Sequence, residues 1–231
     1  LCTAPDYPGR LQAIRARGGK VVVVDPRRTK TAENSDEWVS IRPGTDGLFM
    51  AALANVMFAE GIAKVEPRIG SMMNGLEEFR AAVAPFTPEK VTAATGVPAE
   101  TITRIAREMC AAPTCAVYGR IGVNTVEFGA TNAWLVNALS IITGNFDKRG
   151  GDMFTTPAAG SATTRGSAGK GKGFQTGRGH SRVSNKPEVL GEYPVAVLAE
   201  EILTPGENQI RGMVTVAGNP VLSTPHSKQL D

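Results

Sequence analysis

The feature that most constrains the fold is Val21-Val22-Val23-Val24, followed at once by Asp25-Pro26-Arg27-Arg28-Thr29. Consecutive valines carry no helical period, and such a short β-branched run has the pattern of a strand covered on both faces, as in a parallel sheet. Pro26 has no N–H to give to a ladder, so the strand stops there. Its carboxyl end opens into a turn bearing one acid, two arginines, Thr29 and Thr31. In open α/β sheets, ligands bind outside the carboxyl ends of the strands. An acid at that place can accept from ribose hydroxyls, and arginines pair with phosphate oxygens. The same residues also describe an Asp-Pro turn with solvated arginines.

Around this strand, helices and strands alternate. Leu11–Arg17 reads as a short helix closed by Gly18-Gly19. Asp36–Ile41 reads as a second strand, followed by Arg42-Pro43-Gly44-Thr45-Asp46-Gly47. Thr45 or Asp46 can cap a helix from Leu48 to Glu60, and Gly61 ends it. An acid, arginines and a helix N-terminus together suit a nucleotide. A well-capped helix start is the simpler account of Pro43–Gly47. Leu76–Ala84 is helical with Phe79 and Val83 on one face, and Thr87-Pro88-Glu89 starts another short helix. Pro98 opens a stronger one, in which Ile102, Ile105, Ala106 and Met109 fall at i, i+3, i+4 and i+7 and so form one buried stripe.

Thr114–Tyr118 reads as a short buried strand running into Gly119-Arg120-Ile121-Gly122-Val123-Asn124-Thr125. Two glycines there allow close backbone approach to a ligand, but a third at the offset of the GxGxxG fingerprint is missing. Ala130–Thr143, with Trp134, is apolar nearly all round, which predicts a central, covered helix ended by Gly144-Asn145. From Ala158 to Lys186 the chain is rich in Gly, Ser and Thr and carries Arg165, Lys170, Lys172, Arg178, Arg182 and Lys186 without an acid. A solvated basic loop without a packed core is favoured over a nucleic-acid-binding arm, since only Phe174 is available to stack on a base. Order returns at Pro194, with a helix over Val195–Leu203 and a strand over Gly212–Ala217 that ends in Gly218-Asn219-Pro220. Asn219 offers an amide to a base or phosphate, or merely starts an Asn-Pro turn.

The 231 residues suffice for one large domain or two small ones, and 42% hydrophobic with 20% charged residues fits a globular chain. A net charge of +3 is too small to argue for nucleic acid. The three cysteines, Cys2, Cys110 and Cys115, make no CxxC and read as reduced, mostly buried thiols. No apolar run is long enough to span a bilayer and no signal peptide precedes the first strand, so a cytoplasmic chain is expected. A start at Leu1 and a stop at Asp231 within a continuing pattern raise the expectation of a fragment.

Taken together and in this order, VVVVDPRRTKTAENSDEWVSIRPGTDG, TGVPAETITRIAREM, GRIGVNT, NALSIITGNFDKRGG and VTVAGNPVLSTP resemble the dimethyl-sulfoxide-reductase family of molybdenum enzymes. That family includes formate dehydrogenases and periplasmic nitrate reductases. The resemblance spans nearly the whole chain except the basic Gly/Ser stretch. It implies molybdenum or tungsten on two pterin dithiolenes, each extended as a molybdopterin guanine dinucleotide, held by two related α/β domains, one inserted in the other. The implied fold class is α/β: a Rossmann-like, open parallel-sheet cofactor-binding domain plus part of a second related domain. Residues 1–154 would be the inserted domain, 155–191 a basic loop or linker, and 192–231 the returning part of the second domain. By the same resemblance Asp25, Pro26, Arg27, Arg28 and Thr29 line a guanosine pocket, with Gly44, Thr45 and Asp46 beside them. Ile121, Gly122 and Thr125 would face the pterin, and Gly218, Asn219 and Pro220 the second dinucleotide.

Departures from the family pattern matter equally. The N-terminal cysteine cluster for a 4Fe-4S centre is absent and would belong to a missing N-terminal part, as would the metal-ligating Cys, selenocysteine or Ser; Cys2 lies too close to the first strand. The polypeptide by itself is therefore expected to carry no catalytic residue, to hold no metal or cofactor, and to be inert. The parent reaction would be a two-electron redox step, formate oxidation foremost, with a small-molecule substrate and an electron-transfer partner and no nucleic acid. A non-catalytic nucleotide-binding module is the alternative. A nicotinamide dehydrogenase is disfavoured by the missing GxGxxG and by the expected loop placement of both His180 and His226.

Overall fold

The computed structural model describes residues 5–153, 176–189 and 191–231. The chain separates into two units, Leu1–Phe154 and Thr155–Asp231. In the first, α1 (Tyr7–Ala16), β1 (Val22–Val24), α2 (Lys30–Glu33) and β2 (Glu37–Val39) precede α3 (Asp46–Ala59). Then come α4 (Pro67–Gly70), α5 (Leu76–Val83), α6 (Pro88–Thr95), α7 (Ala99–Ala111), α8 (Ile121–Asn124) and α9 (Gly129–Ile142). Helix α1 starts earlier than its hydrophobic pattern indicates, because the Asp6 carboxylate accepts the Gly9 N–H at 3.3 Å.

Strands β1 and β2 are parallel, with Val22, Val23 and Val24 opposite Glu37, Trp38 and Val39. The β1 valines are half-buried rather than covered on both faces, since only two strands make up this sheet among the described residues. An alternating square of charges ties the sheet to α7. Lys20 Nζ lies 2.8 Å from both Glu37 and Glu108, and Arg104 contacts the same two carboxylates, Glu108 at 2.8 Å.

Helix α3 is the centre of the core. Phe49 through Ala54, Val56 and Met57 are all buried, so it has no polar face over most of its length. The small side chains of Ala51, Ala52 and Ala54 leave room for α6, α7 and α9 to pack around it. Helix α7 presents the expected stripe, with Ile102, Ile105, Ala106 and Cys110 buried and Met109 half-buried. Helix α6 begins where Thr87 Oγ1 accepts the Lys90 N–H and ends at Gly96, φ +76°. Arg42, just before α3, binds the last carbonyls of α6: its guanidinium donates to Ala93 and its backbone N–H to Thr95 at 2.9 Å.

Two further expectations for this unit are corrected. Helix α9 buries Leu135, Ala138, Leu139 and Ile142, but it is not covered all round: Trp134 is 53% exposed and meets Phe79 edge-on at 4.9 Å. Thr114–Tyr118 is irregular chain, not a strand. Its half-buried Cys115 and Val117 alternate with exposed Ala116 and Tyr118, but no strand among the described residues pairs with it.

The second unit comprises an antiparallel pair, β3 (Thr176–His180) and β4 (Pro187–Val189), a 3-10 turn over Val195–Val197 running into α10 (Leu198–Leu203), and two short helices, α11 (Pro220–Ser223) and α12 (Ser227–Leu230). The reading of 158–186 as a loop without packed structure is corrected from Thr176 onward; its earlier part lies outside the described residues. The acids that order the rest come from farther along the chain. Glu188, 6% exposed, pairs with Arg178 and accepts the Gly191 N–H, while Glu201 pairs with Arg182 at 3.1 Å and accepts the Val183 N–H at 3.1 Å. His180 accordingly ends a strand rather than lying in a loop. Gly212–Ala217 is not a strand: Val214 and Val216 are 89% and 87% exposed, and no ladder partner for them exists among the described residues.

The Arg178 hydrogen bond, opposed by desolvation and aided by the Gly191 and Arg178 N–H groups, pulls the Glu188 carboxyl from 4.5 down to about 2. A carboxyl lowered in the folded state contributes stability that is complete above its unfolded value and lost as pH falls to the folded one. The hairpin is therefore expected to loosen between pH 4.5 and about 2. Amide exchange followed at the β3–β4 residues should show this acid sensitivity, and Glu188→Gln should flatten it. An equally steep acid response in the variant would assign the loosening to other groups.

Candidate functional site

At the carboxyl end of β1 the Asp25 N–H donates to the Val39 carbonyl at 3.1 Å, and the Asp25 carbonyl accepts from Trp38 Nε1 at 2.9 Å. Both bonds fix Asp25 to the neighbouring strand. Its Oδ1 accepts the Arg27 N–H at 2.8 Å, which closes the turn at Pro26. Thr29 Oγ1 caps α2 by accepting the Ala32 N–H at 3.4 Å. The Arg28 guanidinium lies over the Trp38 ring, 5.9 Å from its centroid, and both Arg27 and Arg28 are exposed. Much of this turn is thus self-satisfied. What it leaves available is the outer edge of the Asp25 carboxylate and the Arg27 guanidinium.

The start of α3 follows the second strand after the Arg42–Thr45 turn. Thr45 does not cap the helix through its side chain, in contrast to the sequence expectation: its hydroxyl donates back to the Arg42 carbonyl at 2.7 Å. Asp46 occupies the first turn, where a negative charge meets the helix dipole favourably. Burial nevertheless raises its carboxyl above the ordinary aspartate value, its own N–H offsets part of this, and the Asp25 charge raises it further. Asp25 is thus near enough to Asp46 for its charge to be felt there. Gly44, φ +80°, has no atom within 4 Å of where a Cβ would stand, so the backbone here is open to close approach.

The segment containing Ile121, Gly122 and Thr125 is not an open loop. It makes the single helical turn α8, with Thr125 Oγ1 donating to the Ile121 carbonyl at 3.2 Å. The turn is folded against α9 at three places. Gly119 lets Val123 and Val136 approach, a Cβ on Gly129 would overlap the Asn124 carbonyl, and Asn132 Nδ2 donates to the Val123 carbonyl at 2.9 Å. Ile121 is exposed, and the space beside Gly122 is empty. Asn132 was not among the residues singled out from sequence; a polar residue in a helix otherwise read as apolar was the available signal.

Gly218, Asn219 and Pro220 belong to the second unit. Asn219 Oδ1 accepts the Leu222 N–H at 3.3 Å and so caps α11, with Pro220 at its first position. Ala217 immediately before them takes φ +56°, in the left-handed region that favours glycine.

Cys110 is buried and Cys115 half-buried; Cys2 lies outside the described residues. Burial, then the neighbouring Cys110 and Asp152, push the Cys115 thiol up to about 11, the opposite of a metal-ligating thiolate. Among the described residues no group of His, Cys, Asp and Glu is arranged to hold a metal ion. No helix among them is long and apolar enough to cross a membrane.

A family model described as molybdopterin oxidoreductase matches residues 10–230. The chain belongs to that family. The F420-dependent formate dehydrogenase subunit alpha of Methanocaldococcus jannaschii is 27% identical over 96% of this chain, which covers 34% of that relative. Formate dehydrogenase H of Escherichia coli is 30% identical over 58% of the chain and 19% of its own length, and a dimethyl sulfoxide reductase of Haemophilus influenzae 30% identical over 61% and 20%. Among solved structures, acetylene hydratase from Pelobacter acetylenicus superimposes with a TM-score of 0.57 at 27% identity, covering 62% of this chain and 19% of that one. The chain thus spans about a third of the length of the formate dehydrogenase subunits it matches most fully.

The family implies a molybdopterin cofactor, and the residues present fit a nucleotide part of such a group. A carboxylate stands at a strand end with an exposed arginine in the same turn, a second carboxylate stands at a helix start, and the backbone at Gly44 is uncovered. Near the β1 turn and the start of α3, the described residues supply carboxylate acceptors and a cation.

Proposed function

We propose that the chain is the central cofactor-binding part of a bis-molybdopterin guanine dinucleotide oxidoreductase carrying molybdenum or tungsten, performing two-electron chemistry with formate as substrate. The Leu1–Phe154 unit is read as a Rossmann-like domain cradling one dinucleotide, and the Thr155–Asp231 unit as part of a related domain meeting the other through Gly218, Asn219 and Pro220. A 4Fe-4S cluster and an electron-transfer partner are assigned to the remainder of the enzyme. The bound cofactor would supply the redox centre; this chain's residues bind and orient it.

The observation that carries the reading is Asp25, fixed at the carboxyl end of β1 by its bonds to Val39 and Trp38, with the exposed Arg27 in the same turn. Guanine presents an N1–H and an amino group on one edge, and these are the donors that a carboxylate accepts best. A guanine or ribose beside the Asp25 carboxylate would present such donors, and adenine's edge offers fewer of them. Arg27 then lies within the same turn to pair with phosphate oxygens. The choice of formate rests on the names of the F420-dependent formate dehydrogenase subunits, each matched over at least 90% of this chain. Fold alone does not set the reaction, since a protein named as a hydratase shares it.

Asp25→Ala in the holoprotein should lower the guanine dinucleotide content, because the ligand loses a charged acceptor worth about 1.5–3 kcal/mol. Acid hydrolysis and quantitation of released GMP per chain reads this directly. Unchanged content would remove Asp25 from the site, and absence of formate-dependent dye reduction by the holoprotein would exclude formate as substrate.

A further inference from the structure

Asn132 occupies an unusual place between two segments assigned to cofactor contact. It is 1% exposed, on α9, the helix that packs against α3. Its Nδ2 donates to the Val123 carbonyl of the α8 turn at 2.9 Å. Its Oδ1 is buried without a hydrogen-bond partner and rests against Gly47 in the first turn of α3, where any Cβ would overlap it. An unsatisfied buried acceptor ordinarily costs free energy. It lies at the N-terminal, positive end of α3, where a partial negative charge is favoured. The same amide therefore ties the α8 turn on one side to the start of α3 on the other, with a glycine at position 47 making room for it.

We infer that Asn132 is a positioning residue that sets the Ile121–Thr125 turn at a fixed distance from the Gly44–Asp46 turn, so that both present to one ligand. The inference rests on the reading of these two turns as cofactor-facing. Asn132 itself touches no ligand, because its amide is sealed from solvent. It acts through the backbone of Val123 and of Gly47, and the ligand it serves is a nucleotide-extended pterin long enough to reach both turns.

The pair with Gly47 gives a test that separates positioning from packing. In Gly47→Ala the new methyl expels the Asn132 amide, and in Asn132→Ala the bridge is removed and a void is left. The double variant Gly47→Ala/Asn132→Ala fills part of the void with the new methyl and so restores part of the packing without restoring the hydrogen bond to Val123. In the holoprotein, both single variants should lower the melting temperature and raise the dinucleotide release rate about tenfold, read as GMP lost from the chain on dilution. The double variant should regain part of the melting temperature lost in the single variants while still releasing the dinucleotide at the raised rate. Recovery of both properties in the double variant, or a release rate in Asn132→Ala equal to that of the parent, overturns the inference. Asp25→Ala, run alongside, keeps the two readings apart. If it accelerates release while Asn132→Ala does not, only the positioning role fails; if neither variant alters release, the cofactor-facing reading fails and takes the inference with it.

Discussion

Ile102→Ala is expected to destabilise the Leu1–Phe154 unit by about 3–4 kcal/mol, near the middle of the range for emptying a fully buried aliphatic site. Ile102 is completely buried in the cluster that joins α3, α7 and α9. The void is costly because its surroundings have little freedom to collapse. Helix α3 offers only Cβ atoms at Ala51, Ala52 and Ala54, so the helices around it already sit at short range. A loss of this size is a large share of the ~5–15 kcal/mol available to an ordinary domain. Urea unfolding should show a lower midpoint with an unchanged slope. Ile121→Ala supplies the control: that side chain is exposed on α8, and its removal should change stability by less than about 0.5 kcal/mol. A loss below about 1 kcal/mol for Ile102→Ala would mean that the α3–α7 contact is not what holds this unit together.

Gly129→Ala should cost about 3 kcal/mol for a different reason. The added methyl would overlap the backbone carbonyl of Asn124, which cannot rotate away as a side chain can. Either α9 unwinds at its first residue or the α8 turn lifts off, and lifting it also strains the Asn132–Val123 hydrogen bond. Overpacking against backbone falls at the upper end of the range for small-to-large changes. Gly122→Ala is the companion measurement, because nothing lies within 4 Å of its added methyl. The two variants differ by seven positions in sequence and introduce the same methyl, yet only the first should lower the melting temperature appreciably and speed amide exchange across 119–132. Equal melting temperatures for the two would refute the close docking of α8 on α9.

The parts of the fold legible in the sequence are those written by neighbours along the chain. The stripe Ile102, Ile105, Ala106 places α7, Thr87-Pro88 starts α6, Gly61 and Gly144 follow the ends of α3 and α9, and the valine run becomes a strand of a parallel pair. What misled was everything decided by partners remote in sequence. Thr114–Tyr118 and Gly212–Ala217 have strand composition, but a strand exists only where another chain segment accepts its hydrogen bonds. Conversely, Thr176–His180 looks like a basic, glycine-rich loop until Glu188 neutralises Arg178 from the opposite strand. In the candidate site, Asp25 and Asp46 follow from their places beside a strand end and a helix start. Asn132 does not, because its meaning lies in a carbonyl nine residues back and a glycine on another helix.

The square formed by Lys20, Glu37, Arg104 and Glu108 has a consequence for how this chain meets heat. Each cation touches both anions, so breaking one contact leaves every member with another partner. Isolated surface pairs contribute little near room temperature, largely because stripping water from the charges offsets their attraction. That penalty shrinks on warming, while the return from burying apolar surface levels off. The square therefore takes a growing share in fastening the β1–β2 sheet to α7 as temperature rises. The margin it provides is drawn down by added salt, which screens half-exposed charges.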